Sequence, residues 1–370
     1  MLAIDYTLYG LNDVTIIPAT ISEIESRKEC NTYYDDEMLP LFTAPMSCVI
    51  DKDNWMVFKN AGVHSIIPRN IPFETRIELS CFTFVAIGLD ELKTITDPAY
   101  FNKINSESNG KKRYFCVDIA NGHMKKLYDM CKAAKELYAD NISIMTGNIA
   151  NPETYFYIAD NYPGVIDYIR CGIGGGSACT TSANGGTHYP MASLLSQIKY
   201  TKKLKYADIS DIYPKIVADG GFSNFDQIIK ALALGADYVM LGNIFARCEE
   251  ACGKTYIDYN VEKYPNSLAY EDKFESDTHT PGVLKYVKFR EYYGMSTKKA
   301  QKEFGGKGNK TAEGIVKSVP IEYTLDGWID NFKSYLKSIM SYTGFRTLYE
   351  FVGGPKLSVM TNSAYITYFK

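Results

Sequence analysis

Residues 165–189 read VIDYIRCGIGGGSACTTSANGGTHY, an apolar run that leads into a loop dense in glycine. Four glycines between positions 172 and 176 are followed at once by Ser177, Cys179 and Thr181. Because glycine has no Cβ, the backbone amides of such a loop can approach an anion or a flat ligand closely. Amide donors around a cysteine favour the thiolate, its nucleophilic form, so Cys179 is a candidate nucleophile. The alternative is a surface loop with an incidental thiol.

Seven further short apolar runs surround this one, and helix-like stretches such as 124–138 and 224–234 separate most of them. All eight are rich in Val, Ile, Phe and Tyr, as buried parallel strands are. The runs are 40–44, 63–67, 82–87, 114–119, 142–145, 165–169, 215–218 and 238–241. Eight alternations of strand and helix predict an α/β protein of the (β/α)8 TIM-barrel class.

Composition and length agree with a single globular domain over residues 1–370. Apolar residues make up 46% of the chain, charged residues 22%, and the net charge is −3. No basic cluster indicates a nucleic-acid or membrane partner, and no apolar run reaches the roughly 18 residues that span a bilayer. The N-terminus lacks the features of a signal peptide. Nine scattered cysteines without a CxxC pair are typical of reduced thiols, so we expect a cytoplasmic protein.

Polar and glycine residues follow the predicted strands, where a barrel carries its active site. They are 118–122 (DIANG), 146–148 (TGN), 219–221 (DGG) and 242–243 (GN). The turns after the seventh and eighth predicted strands match the usual phosphate site of barrels. Their backbone amides, together with the N-terminus of a short helix, could bind a phosphate; the residues are Gly220, Gly221, Gly242 and Asn243. Asp219 suits a ribose diol, because a carboxylate can accept two hydroxyl bonds; the alternative is a helix N-cap.

The last third of the chain departs from the alternation. Residues 251–290 are polar, tyrosine-rich and net acidic with little periodicity, which indicates an excursion from the barrel. A glycine- and lysine-rich loop at 304–310 lies within a predicted active-site flap over 297–314. Residues 325–342 have the pattern of a long amphipathic helix that opens a C-terminal helical region at 325–370.

These motifs resemble the inosine monophosphate dehydrogenase and guanosine monophosphate reductase family. The most specific are GIGGGSACTT at 172–181, ADGG at 218–221, GADYVMLG at 235–242 and YGMS at 293–296. The resemblance implies a (β/α)8 barrel, usually a homotetramer, in which the cysteine attacks C2 of a purine nucleotide. Only about a dozen residues separate Arg69 from the next strand, which leaves no room for the CBS modules of most dehydrogenases.

Two further features resemble the reductase branch more closely. The dehydrogenase flap carries an adjacent Arg-Tyr pair that activates water, and residues 296–312 contain neither arginine nor tyrosine. The DIANG and YGMS segments also resemble the reductase versions. The resemblance therefore implies a GMP reductase, which converts GMP to IMP and ammonia with NADPH through a covalent intermediate between Cys179 and C2 of the purine.

The resemblance also implies roles for individual residues. Cys179, Thr181 and Glu313 would be catalytic, the last two as a proton relay for the departing amine. Substrate would contact Ser177, Asp219, Gly220, Gly221, Gly242, Asn243, Tyr292, Met295, Ser296, Lys310 and Gly314. The nicotinamide cofactor would lie near Asp118, Ala120, Gly172 and Arg69. Carbonyls of Gly174, Gly176 and Cys179 would hold a monovalent cation such as K⁺.

Departures from the family pattern keep alternatives open. Residues 182–184 (SAN) replace a basic stretch, Ser47 replaces an aspartate, and Lys310 stands where reductases often have arginine. The alternatives are an IMP dehydrogenase that forms XMP with NAD, a reductase for an unusual purine nucleotide, and a barrel that binds purine nucleotides without turnover.

Overall fold

A computed structural model describes residues 7–107, 110–205, 213–275, 281–294, 297–303 and 314–368. Its strands are numbered here in chain order. They are β1 (Val14–Ile17), β2 (Leu41–Thr43), β3 (Ile66–Ile67), β4 (Phe84–Ile87), β5 (Arg113–Asp118), β6 (Ile142–Ile149), β7 (Tyr168–Cys171), β8 (Lys215–Asp219), β9 (Tyr238–Leu241), β10 (Thr255–Asp258), β11 (Ala269–Glu275), β12 (Pro281–Tyr293), β13 (Val316–Pro320) and β14 (Lys356–Val359).

Strands β2 to β9 form the barrel. They make one eight-stranded parallel sheet in the order β2-β9-β8-β7-β6-β5-β4-β3. The two ends of this sheet meet through a parallel bridge between Phe42 and His64. Thr43 N donates to His64 O at 2.9 Å, and His64 N donates to Leu41 O at 3.0 Å. The predicted (β/α)8 barrel is confirmed, and each predicted apolar run supplies one of its strands.

Strand β7 begins later than its sequence predicts, as do β3 and β4. Val165 N donates to Tyr162 O in a turn, and the side chain of Asp167 accepts a hydrogen bond from Ile144 N at 2.8 Å. This contact places Asp167 at the edge of the sheet, so β7 starts only at Tyr168.

Helices lie between most of the barrel strands and also in the part of the chain that follows the barrel. They are α1 (Trp55–Asn60), α2 (Phe73–Leu79), α3 (Leu89–Ile95), α4 (Pro98–Glu107), α5 (Lys125–Tyr138), α6 (Pro152–Asn161), α7 (Thr181–Gly185), α8 (Met191–Lys205), α9 (Phe225–Ala233), α10 (Asn243–Ala246), α11 (Lys298–Glu303), α12 (Leu325–Thr343), α13 (Leu348–Phe351) and α14 (Asn362–Tyr368). Within the ranges described, none of these helices combines the length and apolar character that a membrane crossing requires.

Aromatic rings fill the amino-terminal end of the barrel interior. The ring of Phe42 lies 4.7 Å from His64, 5.7 Å from Phe84, 5.8 Å from Tyr168 and 5.1 Å from Tyr238, measured between centroids. Three of these residues open their strands, so the rings pack as one layer across that end. The opposite, carboxyl end is the one at which barrels carry their active-site residues.

Residues 251–290 contain strands that the sequence analysis does not predict. The central strand β12 pairs antiparallel with β10 along one edge, and with β11 and then β13 along the other. The ring of Tyr270 stacks on Tyr286 at 5.5 Å, and Lys288 Nζ lies 3.9 Å from the ring centre of Tyr270. Because polar and aromatic side chains occupy both faces, these strands lack the one-sided apolar alternation that identifies a strand in sequence.

The two ends of the described chain meet beside the barrel. Strand β14 pairs antiparallel with β1, from Val14 opposite Val359 to Ile17 opposite Lys356. The predicted C-terminal helical region thus also contains a strand. Its main element is helix α12, as predicted, which buries Trp328, Phe332 and Leu336.

Candidate active site

Four side chains from the carboxyl ends of four neighbouring strands, β5 to β8, form one hydrogen-bonded group. Arg170 Nη1 lies 2.6 Å from Asp118 Oδ1, and Arg170 Nη2 lies 2.8 Å from Asp219 Oδ2. Arg170 Nε donates to the same Oδ2 at 3.1 Å. Asn148 Nδ2 donates to Asp219 Oδ2 at 2.7 Å and to the carbonyl of Gly172 at 2.8 Å. The carboxyl end of the barrel therefore holds a preorganised ion-paired group.

Arg170 is the charged centre of this group. Its side chain is 9% exposed, against 16% for Asp118 and 14% for Asp219. Burial by itself lowers the pKa of Arg170, but the charges of Asp219 and Asp118 outweigh it, so the pKa lies well above its usual range. The guanidinium is therefore a fixed cation between two carboxylates.

Cys179 lies in the turn that follows β7. Its backbone amide donates to Gly176 O at 2.9 Å, and its Sγ lies 3.3 Å from Thr181 Oγ1. Gly314 forms an antiparallel bridge with Cys179, and Ile315 N donates to Ala178 O at 3.0 Å. The structure therefore brings together Cys179, Thr181 and Gly314, the last residue of the predicted flap.

The turn after β8 packs against the glycines of the cysteine loop. Gly220 and Gly221 have φ angles of +98° and +87°, which favour glycine. A Cβ on Gly220 would lie 3.1 Å from Gly176 N, and a Cβ on Gly175 would lie 3.2 Å from Gly220 C. These backbones approach so closely that their amides can face a common anion.

The turn after β9 completes the same region. A Cβ on Gly242 would lie 3.1 Å from Tyr292 Oη, and Asn243 begins the short helix α10. Among the described residues, no group hydrogen bonds to the buried Oδ1 of Asn243. Burial raises the pKa of Tyr292, whereas a hydrogen bond with Ser177 acts in the opposite direction. Ser177, Gly242 and Tyr292 are thus neighbours, although the sequence separates them widely.

Three of the four residues predicted near a nicotinamide, Asp118, Ala120 and Arg69, lie on the β5 side of the group. Arg69 Nη1 donates to the carbonyl of Asp118 at 3.5 Å. Gly88 leaves room for the Arg69 guanidinium, because a Cβ there would lie closer than 3.0 Å to it. Ala120 is exposed in the turn after β5, and Gly172 follows β7 directly, with a φ of +126°.

The predicted cation carbonyls lie within the cysteine loop. The carbonyl of Gly176 already accepts the amide of Cys179, and Gly174 has a φ of +74° beside Ser182. Predictions for Met295, Ser296, Lys310 and Glu313 fall outside the described residues.

Sequence reasoning missed three residues of this region. No role is predicted from the sequence for Arg170, whose signal is a charged residue directly after the apolar run 165–169. Asn148 is predicted only as the end of the turn after a strand. Lys317 gives no signal, because strand β13 is not predicted, yet its Nζ lies 2.5 Å from the carbonyl of Ser177.

The N-cap alternative for Asp219 is wrong. Helix α9 begins after Asn224, whose amide donates to the side chain of Gln227 at 3.4 Å. Asp219 instead faces Arg170 and Asn148.

Comparison with known proteins agrees with the resemblance drawn from the motifs. Residues 97–270 match the family model described as IMP dehydrogenase / GMP reductase domain. A GMP reductase from Caenorhabditis elegans is 26% identical over 262 residues, which is 69% of this chain and 63% of the relative. A GMP reductase from Buchnera aphidicola subsp. Schizaphis graminum is 29% identical over 269 residues, 72% of this chain and 65% of the relative.

A dehydrogenase is similar at the same level. The inosine-5'-monophosphate dehydrogenase of Chlorobaculum tepidum is 30% identical over 246 residues, which is 63% of this chain and 42% of the relative. The chain thus spans less than two thirds of the length of each of these relatives.

Proposed function

We propose that this chain is a GMP reductase, because its residues 97–270 match the family model described as IMP dehydrogenase / GMP reductase domain. The reaction is GMP + NADPH + 2H⁺ → IMP + NADP⁺ + NH₄⁺. The observation that carries the proposal is the Cys179–Thr181 pair, 3.3 Å apart at the mouth of the barrel and beside two glycine turns. A nucleophile next to a hydroxyl and to anion-binding amides suits covalent chemistry on a nucleotide.

The chemical step begins at Cys179. Its thiolate forms a bond to C2 of the purine, and the bond from C2 to the exocyclic amine breaks as that nitrogen leaves as ammonia. Thr181 and Glu313 relay the proton that the leaving amine needs, since an unprotonated amine is a poor leaving group. After C2 is reduced, the bond to Sγ breaks and IMP is released.

The nucleotide is held by groups around the cysteine. Asp219 accepts the ribose hydroxyls, and the amides of Gly220, Gly221, Gly242 and Asn243 take the phosphate together with Ser177 and Tyr292. The close backbone approach of Gly220 to Gly176 supports an anionic ligand at this place. By the family resemblance, Met295, Ser296 and Gly314 would contact the edge of the base, and Lys310 would also contact the substrate.

The nicotinamide nucleotide supplies a hydride to C2 when it is bound. The residues present fit such a group, because the Asp118 carboxylate can accept hydrogen bonds and Arg69, whose Nη1 lies 3.5 Å from the backbone carbonyl of Asp118, supplies a positive charge nearby. The carbonyls of Gly174, Gly176 and Cys179 would hold K⁺, and the assembly would be a homotetramer in which each chain is one barrel domain.

The test is a coupled measurement of NADPH consumption and ammonia release with GMP. We expect equal amounts of both. Cys179→Ala is expected to bind GMP and to lose at least about 10³-fold in kcat, because it removes the nucleophile. Cys81→Ala is the matched control, since Cys81 is also a partly exposed free thiol and lies at the other end of the barrel. Wild-type turnover by Cys179→Ala would contradict the mechanism.

The second candidate is an IMP dehydrogenase, which the similarity to the Chlorobaculum protein favours. Its hydrolytic step needs a water activator, and residues 296–312 lack the arginine and tyrosine of the dehydrogenase flap. Formation of XMP from IMP and NAD, with no reaction of GMP, would establish this candidate. Binding of GMP without either reaction would indicate an unusual purine substrate or a binding protein.

A further inference from the structure

Arg170 contacts both Asp219, which the proposed function places at the ribose, and Asp118, which it places at the nicotinamide cofactor. Its Nε and Nη2 form a fork on one oxygen of Asp219, at 3.1 and 2.8 Å, while Nη1 reaches one oxygen of Asp118 at 2.6 Å. One planar guanidinium therefore fixes the orientation of two carboxylates that are 101 positions apart in the sequence.

Each carboxylate keeps one oxygen for a ligand. Among the described residues, Oδ1 of Asp219 and Oδ2 of Asp118 accept no hydrogen bond, whereas Asp219 Oδ2 accepts from Arg170 and Asn148. Both side chains retain some exposure, 14% and 16%. The guanidinium thus occupies the inner oxygen of each and leaves an outer acceptor that hydroxyl groups can reach.

The charges of the group make this arrangement depend on Arg170. Two carboxylates in a largely buried site need a counter-charge, and Arg170 is the cation among the four side chains Asp118, Asn148, Arg170 and Asp219. Lysine could neutralise a charge there, but its ammonium lacks the planar fork that holds both partners at once.

We infer that Arg170 is a positioning residue that orients Asp219 toward the ribose of the purine nucleotide and Asp118 toward the cofactor, and so links the two sites through one shared cation. This inference rests on the proposed function, which assigns a ribose diol to Asp219.

The test uses ribose recognition in the full-length chain. Dissociation constants of GMP and 2′-deoxy-GMP are measured by calorimetry without cofactor. Loss of one hydroxyl bond to a carboxylate is expected to weaken binding by the wild-type protein about 10- to 100-fold. In Arg170→Lys the two ligands are expected to bind within about 3-fold of each other, because Asp219 is no longer held.

Arg113→Lys is the matched control. Arg113 is equally buried and donates to backbone carbonyls of Ile77 and Ile104, but it lies at the start of β5, away from the site. It is expected to lower stability and to keep the full preference for GMP. A general effect of losing a buried guanidinium would instead reduce the preference in both variants.

A second variant keeps the inference testable if Arg170→Lys does not fold. Asp118→Asn preserves shape and leaves Arg170 free to turn both nitrogens onto Asp219, covering its outer oxygen. The preference for GMP should then fall at least about 3-fold, although Asp118 does not contact GMP. If the sites of Asp219 and Asp118 were independent, Asp118→Asn would leave the preference for GMP over 2′-deoxy-GMP unchanged.

The outcomes separate this inference from the proposed function. A folded Arg170→Lys or Asp118→Asn that keeps the wild-type preference for GMP overturns the inference alone. A wild-type protein that binds GMP and 2′-deoxy-GMP equally also overturns it, because Asp219 then does not recognise the diol. Failure of the wild-type protein to bind GMP, IMP or XMP overturns the proposed function and the inference together.

Discussion

Gly172 is the position at which one added methyl group would disturb both the barrel and the candidate site. It follows β7 with a φ of +126°, and a Cβ there would lie closer than 3.0 Å to the carbonyl oxygen of Asp219. That oxygen belongs to the backbone of the neighbouring strand end and cannot move aside as a flexible side chain can. Gly172→Ala therefore forces the cysteine loop away from β8.

The expected cost is the sum of three effects. A non-glycine residue at this φ costs about 1–3 kcal/mol, and overpacking against fixed backbone costs about 1–3 kcal/mol more. Alanine stabilises the folded protein by about 0.4–1 kcal/mol, because it lowers the conformational entropy of the unfolded chain. The net loss in the free energy of unfolding is about 3 kcal/mol, a large part of the stability of an ordinary domain.

The assay is urea unfolding followed by tryptophan fluorescence, with GMP binding measured on the folded variant. Gly164→Ala is the matched control, because Gly164 has a φ of +68° in the turn before β7 and nothing lies within 4 Å of its added Cβ. Gly164→Ala loses only the roughly 1–2 kcal/mol of stability that a non-glycine residue costs at a positive φ, and the restriction of the unfolded chain offsets part of this loss. We expect it to lose about 1 kcal/mol or less.

The difference between the two variants tests the reasoning. Gly172→Ala should be less stable than Gly164→Ala by about 2 kcal/mol and should bind GMP more weakly, since the displaced loop carries both Cys179 and the contact with Asp219. Equal stability of the two variants would refute the argument from the close backbone approach.

Two other predictions concern single side chains. Tyr292→Phe removes a buried hydroxyl beside Gly242 and should raise the KM for GMP about 10-fold with little change in kcat, which steady-state kinetics would show; an unchanged KM would remove Tyr292 from the phosphate site. Burial lowers the pKa of His64 to about 4, despite the opposing charge of Asp36. As the pH falls below about 6.5, the unfolded chain binds a proton at His64 that the folded protein does not bind. Between pH 7 and pH 5 the free energy of unfolding of the wild type should therefore fall by about 2 kcal/mol more than that of His64→Gln, which urea unfolding at the two pH values would show. The pKa of His123 is also lowered, but His123 is present in both proteins, so a pH dependence equal in the two would contradict the assignment to His64.

Several parts of the structure could be predicted because the signal is local. The eight apolar runs and the helical stretches between them carry their own periodicity, so the barrel follows from the chain order. The glycine loop is equally local, and it places Cys179 two residues from Thr181 at the carboxyl end of a strand.

Other parts could not be predicted because their partners are distant in the sequence. Strands β10 to β13 stabilise one another by pairing and by aromatic contacts such as Tyr270 with Tyr286, with polar groups on both faces. Closure of the barrel depends on His64, whose backbone bridges Phe42 although its side chain gives no strand signal.

The amino-acid sequence alone determined the class of fold and the position of the candidate nucleophile, since both depend on patterns within a few residues. The tertiary structure decided how the site is held. Arg170 lies 52 positions from Asp118 and 49 from Asp219, and only the order of β5, β6, β7 and β8 around the barrel brings one guanidinium within hydrogen-bond distance of both carboxylates. Local pattern carries no information about which distant charges meet, because that depends on the curvature and closure of the sheet.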